Sequence, residues 1–516
     1  MQQSILSRRK FIAQAGLAAA ALRCAPIYAL AHTFDATSPV VVKTPLGALR
    51  GEQSGGVLQF RGVPFAEPPV GPLRFRAPQP AKPWTGERDA THFAAAAMQV
   101  GEPGIEHSED CLYLNIWAPA GTGPFPVYVW IHGGGFTGGH AFESMYDGMA
   151  LTQAGVICIS VAYRLGVFGF LDMEPLLGSQ YAGSANNALR DLIAALEWIQ
   201  HNIAAFGGDP GRVTIGGESA GAKLSDILMG APSAERLFHQ VISESGGAER
   251  VWSKAQSQTV AHGFGEEWHT AMGSDPATLL SAPGDALIKT QRQFIAAWPQ
   301  HFPLRCQVDG SLIPLRPVEK ILAGSSKGKR LLIGTNRDES ALFIGPHPQK
   351  DPVAADLGNL LSEKFLPVYK AYRGVYPQMS DEQLRIRAVT AEEYWIPSIR
   401  VADAHVKGGG TAWMYRLDFS ETSGYLRGYA FHSLDVRLVW NRPSLLTENA
   451  VAEADLAKEM HQAWLAFVRG DAPAAPNIPA WPQYDSTSRP TMIFDTQDHL
   501  ETKPQEAELR LWDGVL

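Results

Sequence analysis

Cysteine is scarce, with four residues in a chain of 516. Cys24, Cys111, Cys158 and Cys306 lie far apart and form neither a Cys-x-x-Cys nor a zinc-ligand spacing, and no His-Glu-x-x-His occurs. A dense disulfide framework and a zinc site therefore have no support in the sequence. Cys158, inside the apolar run Val156 to Val161, is expected to be a small buried hydrophobe. No apolar run reaches the roughly 20 residues that a bilayer-spanning helix needs. Positive charge is also in short supply, since 44 Lys and Arg face 52 Asp and Glu for a formal net charge of -8. That balance argues against nucleic acid or anionic lipid as a partner.

The N-terminus differs from the rest. Ser7-Arg8-Arg9-Lys10-Phe11-Ile12 precedes an apolar run to Leu22, and Ala29-Leu30-Ala31 supplies the small residues of a cleavage site. Residues 1–31 are thus predicted to be a twin-arginine export signal, with a periplasmic or secreted product and no stable membrane insertion. Losing Arg8, Arg9, Lys10 and Arg23 without losing an acid would leave the remainder more acidic still.

Beyond the leader, no linker, repeat or charge run divides the chain, and its 45% hydrophobic content suffices for a large core. Strand-like and helix-like segments alternate, which predicts one α/β domain over residues 32–516. Val40 to Val42 and Ala48 to Arg50 flank a Pro45-Leu46-Gly47 turn as a hairpin, and the recurring prolines from Pro64 to Pro83 predict an extended surface excursion. Strands are expected at Leu112 to Trp117, Val127 to Ile131, Val156 to Val161, Gln240 to Ser243, Leu331 to Gly334 and Trp413 to Leu417. Leu189, Leu192, Ile193, Leu196, Ile199 and Ile203 recur at helical spacing before a stop at Gly207-Gly208-Asp209-Pro210. The stretches Ala248 to Pro303 and Gly345 to Val406 are where a cap would be built.

The chemistry concentrates at Gly217-Glu218-Ser219-Ala220-Gly221, between the β-branched run Val213-Thr214-Ile215 and a helix-compatible stretch from Ala222 to Met229. A sharp strand-to-helix turn lifts one hydroxyl above a sheet, and flanking glycines remove side chains that would clash. A serine hydroxyl is a poor nucleophile at neutral pH, so Ser219 needs an imidazole to take its proton and a carboxylate to orient that imidazole. In elbow enzymes these follow in the order serine, acid, histidine. His132-Gly133-Gly134-Gly135-Phe136, directly after the strand Val127 to Ile131, offers backbone N–H groups for an oxyanion, and no Gly-Lys-Ser/Thr accompanies it to suggest a phosphate loop.

Glu109-Asp110-Cys111-Leu112-Tyr113-Leu114-Asn115, the His132 to Phe136 loop, Tyr163-Arg164-Leu165-Gly166, Phe206-Gly207-Gly208-Asp209-Pro210 and Gly217 to Gly221 together resemble the signatures of type-B carboxylesterases, a family that includes cholinesterases and para-nitrobenzyl esterases. The resemblance runs from about Val40 to Trp481-Pro482-Gln483-Tyr484. It implies an α/β-hydrolase fold, with a large, mostly parallel central sheet flanked by helices and helical excursions capping the site. It also implies hydrolysis of small carboxylic esters through an acyl-enzyme, without a cofactor. Ser219 would be the nucleophile, and Gly134, Gly135 and Ala220 the oxyanion donors. Gly334-Thr335-Asn336-Arg337-Asp338-Glu339 is similar to the acid-bearing segment and places the acid at Glu339, although chemistry alone leaves Asp338 as a rival.

Of His347, His405, His432, His461 and His499, the resemblance selects His432, in Gly428-Tyr429-Ala430-Phe431-His432-Ser433-Leu434-Asp435, with Asp435 as loop support. Glu218, beside the nucleophile, can stabilise the imidazolium or position the deacylating water. Ser245 matches a supporting hydrogen-bond position. Two family ion pairs, Arg61 with Glu109 and Arg164 with Asp191, should pin the loops. Two departures stand out: Met98 occupies the place of a disulfide partner for Cys111, and Ala222-Lys223-Leu224-Ser225 replaces smaller residues after the elbow. An amidase, carbamate hydrolase or acyltransferase could use the same triad, and some proteins of this fold are non-catalytic binding modules. Phe136, Trp252, Trp298 and Trp395 are candidate pocket aromatics.

Overall fold

The computed structural model describes residues 37–273, 275–345, 359–444 and 449–516. The expected leader at residues 1–31 and His347 lie outside the described residues.

The main sheet takes its strands in chain order from β1 (Ser38–Thr44), β2 (Gly47–Ser54), β3 (Val57–Pro64), β4 (Tyr113–Pro119), β5 (Phe125–Ile131), β6 (Ile157–Val161) and β7 (Gly208–Glu218). It continues with β8 (Gln240–Glu244), β9 (Arg330–Asn336), β10 (Thr411–Leu417), β11 (Pro490–Phe494) and β12 (His499–Thr502). Their spatial order is β1-β2-β3-β4-β6-β5-β7-β8-β9-β10-β11-β12, and a short strand at Glu87–Asp89 pairs with β2. From β6 through β11 every neighbouring pair is parallel, whereas the two ends are antiparallel. The inner strands β5 and β6 read as nearly continuous apolar runs because helices cover both faces of a parallel sheet. Accordingly β6, β8 and β11 are buried at every position.

The helix predicted after Asn187 is α1 (Asn187–Asn202), which buries Leu189, Leu192, Ile193, Leu196 and Ile199. A 3₁₀ turn, Ile203–Phe206, then ends at Gly207 with φ +82°, a left-handed backbone that glycine adopts without penalty. The chain enters β7, turns at Ser219 and continues as α2 (Ala220–Met229). The first excursion holds α3 (Lys254–Met272), started by a Ser253–Gln256 capping box, and α4 (Gly284–Ala297). The second holds α5 (Ser362–Val375), α6 (Asp381–Thr390), a π-helical turn at Ala391–Trp395 and α7 (Ile396–Lys407). Further on, α8 (Ala450–Arg469) packs beside the sheet.

Two expectations need correction. The proline-rich excursion is not confined to the surface, because Phe65, Ala66, Arg74 and Phe75 are buried. Arg61 does not meet Glu109. It sits on β3 and reaches Glu52 on the adjacent strand at 3.2 Å, while Arg74 takes Glu109, with Nε 2.7 Å from Oε2, and also donates to the Leu279 and Ala282 carbonyls. Spacing along the chain could not say whether Arg61 on β3 or Arg74 in the excursion reaches Glu109. Arg164 does hold Asp191 through two N–H groups at 2.6 and 2.8 Å, both side chains fully buried. Cys111, Cys158 and Cys306 are buried free thiols, and Met98 packs beside Gly284, where an added Cβ would lie 2.6 Å from its Cε.

Candidate active site

Ser219 occupies the turn from β7 to α2 with φ +56° and ψ -119°. A non-glycine residue at positive φ is held there only by its surroundings. Here the Ser219 N–H donates to the Glu244 carbonyl at 2.9 Å. A side chain at Gly217 or Gly221 would collide with the Ile131 carbonyl at the end of β5. The two glycines of the elbow are thus demanded by the adjacent strand, which is the physical content of the motif.

The loop from His132 to Phe136 runs alongside. A Cβ on Gly133 would lie 2.9 Å from Glu218 Oε2 and 3.3 Å from the Ser219 Cβ. Gly134 and Gly135 adopt φ of +109° and +61°, so glycine is required for the loop to approach this closely. Gly138 and Thr137 donate back to the Gly134 carbonyl at 2.9 and 3.2 Å, closing the turn. Among the described residues the N–H groups of Gly134, Gly135 and Ala220 donate to no protein acceptor. Behind the loop, His132 stacks on Tyr163 at 4.5 Å, and burial pushes its imidazole down to about 3. His132 is a neutral structural residue.

Glu339 follows β9 and is fully buried. Its Oε1 accepts from the Asn336 N–H at 2.7 Å and from the Ser245 hydroxyl at 2.5 Å, and its Oε2 lies 2.6 Å from His432 Nδ1. The other ring nitrogen, Nε2, is 3.0 Å from Glu218 Oε1, which also accepts from the Ser433 hydroxyl at 2.6 Å. The imidazole therefore has a carboxylate at each end. Burial opposes a charged ring, but the charges and hydrogen bonds of Glu218 and Glu339 outweigh it and push His432 up to about 10. Phe343 and Tyr394 pack against the ring at 5.0 and 4.7 Å.

The structure brings His432, Glu339, Ser245 and Glu218 into one hydrogen-bonded chain, with Ser219 adjoining Glu218. Among the described residues no hydrogen bond joins the Ser219 hydroxyl to His432, whose Nε2 faces Glu218 instead. Asp338 points elsewhere: it accepts from Arg337 and from the Ala430 N–H, bracing the histidine loop. Asp435 is buried and accepts from Asn336 Nδ2 and the Tyr415 hydroxyl at 3.0 and 2.6 Å, tying that loop to the sheet. His405 and His461 are buried against backbone carbonyls, and His499 is exposed. Of the candidate aromatics, Phe136 packs on Phe170 in the core, and the Trp252 indole donates to the Pro303 carbonyl. Ser433, Phe343 and Tyr394 were not singled out from sequence, since nothing in their local pattern marks them.

The elbow, the glycine loop and the sheet order define an α/β-hydrolase, the class shared with the solved para-nitrobenzyl esterase. That structure superposes with a TM-score of 0.82 at 33% identity, covering 91% of this chain and 99% of the other. The carboxylesterase family profile matches residues 38–512, and the chain belongs to that family of carboxylic ester hydrolases. Among curated relatives it is 35% identical to the para-nitrobenzyl esterase of Bacillus subtilis (strain 168), over 90% of this chain and 96% of that one. It is 34% identical to the fumonisin B1 esterase of Sphingopyxis macrogoltabida, over 89% and 87% of the two chains.

Proposed function

We propose that the protein hydrolyses carboxylic esters through an acyl-enzyme on Ser219, with His432 as general base and acid and Glu339 as the orienting carboxylate. The single observation that carries this reading is the buried chain Ser245–Glu339–His432 ending at the residue beside the elbow serine. Nε2 faces Glu218 Oε1 in the structure, and the reaction requires the ring to present Nε2 to the hydroxyl of the adjoining Ser219 instead. The hydroxyl then attacks the ester carbonyl as its proton passes to Nε2. The oxyanion is met by the free N–H groups of Gly134, Gly135 and Ala220, of which Ala220 also has the positive end of α2 behind it. His432 protonates the leaving alcohol, and water repeats the cycle. No cofactor enters these steps.

A burst of nitrophenol from a para-nitrophenyl ester, equal to the enzyme concentration and followed by slower turnover, is the expected test result. Release without ester specificity, or faster cleavage of a matched amide or carbamate, would argue for the related hydrolases.

The two carboxylates fix a pH dependence. His432 must be neutral to accept a proton, so kcat/KM rises with pH through its ionisation. Glu218→Gln removes one of the two charges that raise it, and the acidic limb is expected to move to lower pH by about one unit or more. A shift to higher pH, or none, would contradict the role given to Glu218.

We also propose that the protein is exported, on the strength of the Arg8-Arg9 motif and the apolar stretch after it. Replacing both arginines by lysine should leave full-length precursor in the cytoplasm, seen by cell fractionation and intact mass. Unchanged export would remove the twin-arginine reading.

A further inference from the structure

We propose that Lys223 is a positioning residue for this reaction, its buried Nζ tying the nucleophile-bearing helix to the loop that holds the acid and to the turn that backs the imidazole. The inference rests on the triad reading above and deepens it.

Lys223 lies in the first turn of α2, where its own N–H donates to the Ser219 carbonyl at 2.9 Å. Its side chain turns inward and is 2% exposed. Nζ donates to the Gly246 carbonyl at 2.8 Å and the Glu393 carbonyl at 3.2 Å, with Glu393 Oε1 at 3.6 Å. Nζ thus has two carbonyl acceptors within hydrogen-bond range, and burial, with the nearby Arg250 charge, holds its pKa well below the usual lysine range. Gly246 directly follows Ser245, the residue that holds Glu339. Glu393 directly precedes Tyr394, whose ring lies 4.7 Å from Nζ and 4.7 Å from the His432 ring. One amino group thus touches the segments behind the nucleophile, the acid and the base.

The π-helical turn at Ala391–Trp395 makes this possible. A π turn adds a residue to the helical repeat and rotates the residues after it. Here it presents the Glu393 carbonyl and carboxylate to Lys223 and the face of Tyr394 to Nζ and to His432. Burying an ammonium is costly unless it is paired and hydrogen-bonded, and a methionine would fill the same space without that demand. Geometry supplies the return, because displacing a reacting group by about 1 Å can cost on the order of 10² in rate. Arg250 also pairs with Glu393, so that carboxylate keeps a cation when Lys223 is neutralised.

The test is Lys223→Met in the full-length protein, with Lys223→Gln as a second variant that retains an NH₂ donor group. Active sites are counted first, by stoichiometric reaction of Ser219 with a para-nitrophenyl phosphonate, and kcat is expressed per titrated site. For Met, kcat per site should fall about 10- to 100-fold with KM changed less than about threefold, and Gln should lie between Met and wild type. A kcat per site within about twofold of wild type in both variants would overturn the inference, as would loss of titratable serine in both, which would make Lys223 a residue of the fold alone. A wild-type protein with neither turnover nor titratable serine would instead remove the hydrolase reading itself.

Discussion

Ser219→Ala should lower kcat for a para-nitrophenyl ester by on the order of 10⁵ or more and leave the thermal transition within about 2 °C of wild type. The separation of the two effects follows from the site. Alanine keeps the Cβ and therefore the same backbone strain at φ +56°. The Ser219 hydroxyl makes no hydrogen bond among the described residues, so its removal orphans no buried partner. The flanking collisions that force glycine at 217 and 221 are untouched. Only the attacking oxygen is lost. Substantial turnover by purified Ser219→Ala, free of wild-type contamination, would require another nucleophile.

The second large effect separates two adjacent acids. Glu339→Gln should reduce kcat by on the order of 10² to 10⁴, while Asp338→Asn should cost less than about tenfold. Glu339 is fully buried and receives three donors: the Asn336 N–H, the Ser245 hydroxyl and His432 Nδ1. An amide there must turn its NH₂ toward at least one of them, and it no longer enforces the tautomer that leaves Nε2 free to accept a proton. It also withdraws a charge that stabilises the imidazolium. Asp338 instead bonds Arg337 and the Ala430 N–H. Asparagine retains an acceptor for that N–H, and the loss falls on the loop. The reverse order of the two effects would move the acid to Asp338.

Much of this arrangement is legible before folding because its demands are local. Glycines at 134, 135, 217 and 221 answer backbone angles and close approaches, and such demands leave fixed residue types at fixed spacing. Inner strands such as β5 and β6 are legible as well, since burial on both faces writes them as largely apolar runs. Chemistry alone did not separate Glu339 from Asp338, and the distinction came from the resemblance of the whole segment. In the structure Glu339 faces inward to Ser245, while Asp338 faces the Ala430 loop.

The features that escaped the sequence are set by distant partners. Arg61 and Arg74 both precede Glu109, and only the fold of the proline-rich excursion decides that Arg74 reaches it. Tyr394 backs His432 because a π turn rotates it there, and no periodicity announces such a turn. Ser433 holds Glu218 across 215 residues of chain. Lys223 reads as an oddity after the elbow until Gly246 and Glu393 are seen around its Nζ. The antiparallel edge formed by β11 and β12 was likewise unforeseen, because its short strands lie among turns.

The most direct measurement is the mass of the peptide containing Ser219 after the enzyme is mixed with para-nitrophenyl acetate and quenched in acid during the burst. The account predicts one acetyl group on Ser219, at a stoichiometry matching the nitrophenol burst, and no acetyl in Ser219→Ala. Full turnover with Ser219 unmodified at every quench time, or an acetyl group carried by another residue that turns over at the catalytic rate, would contradict it.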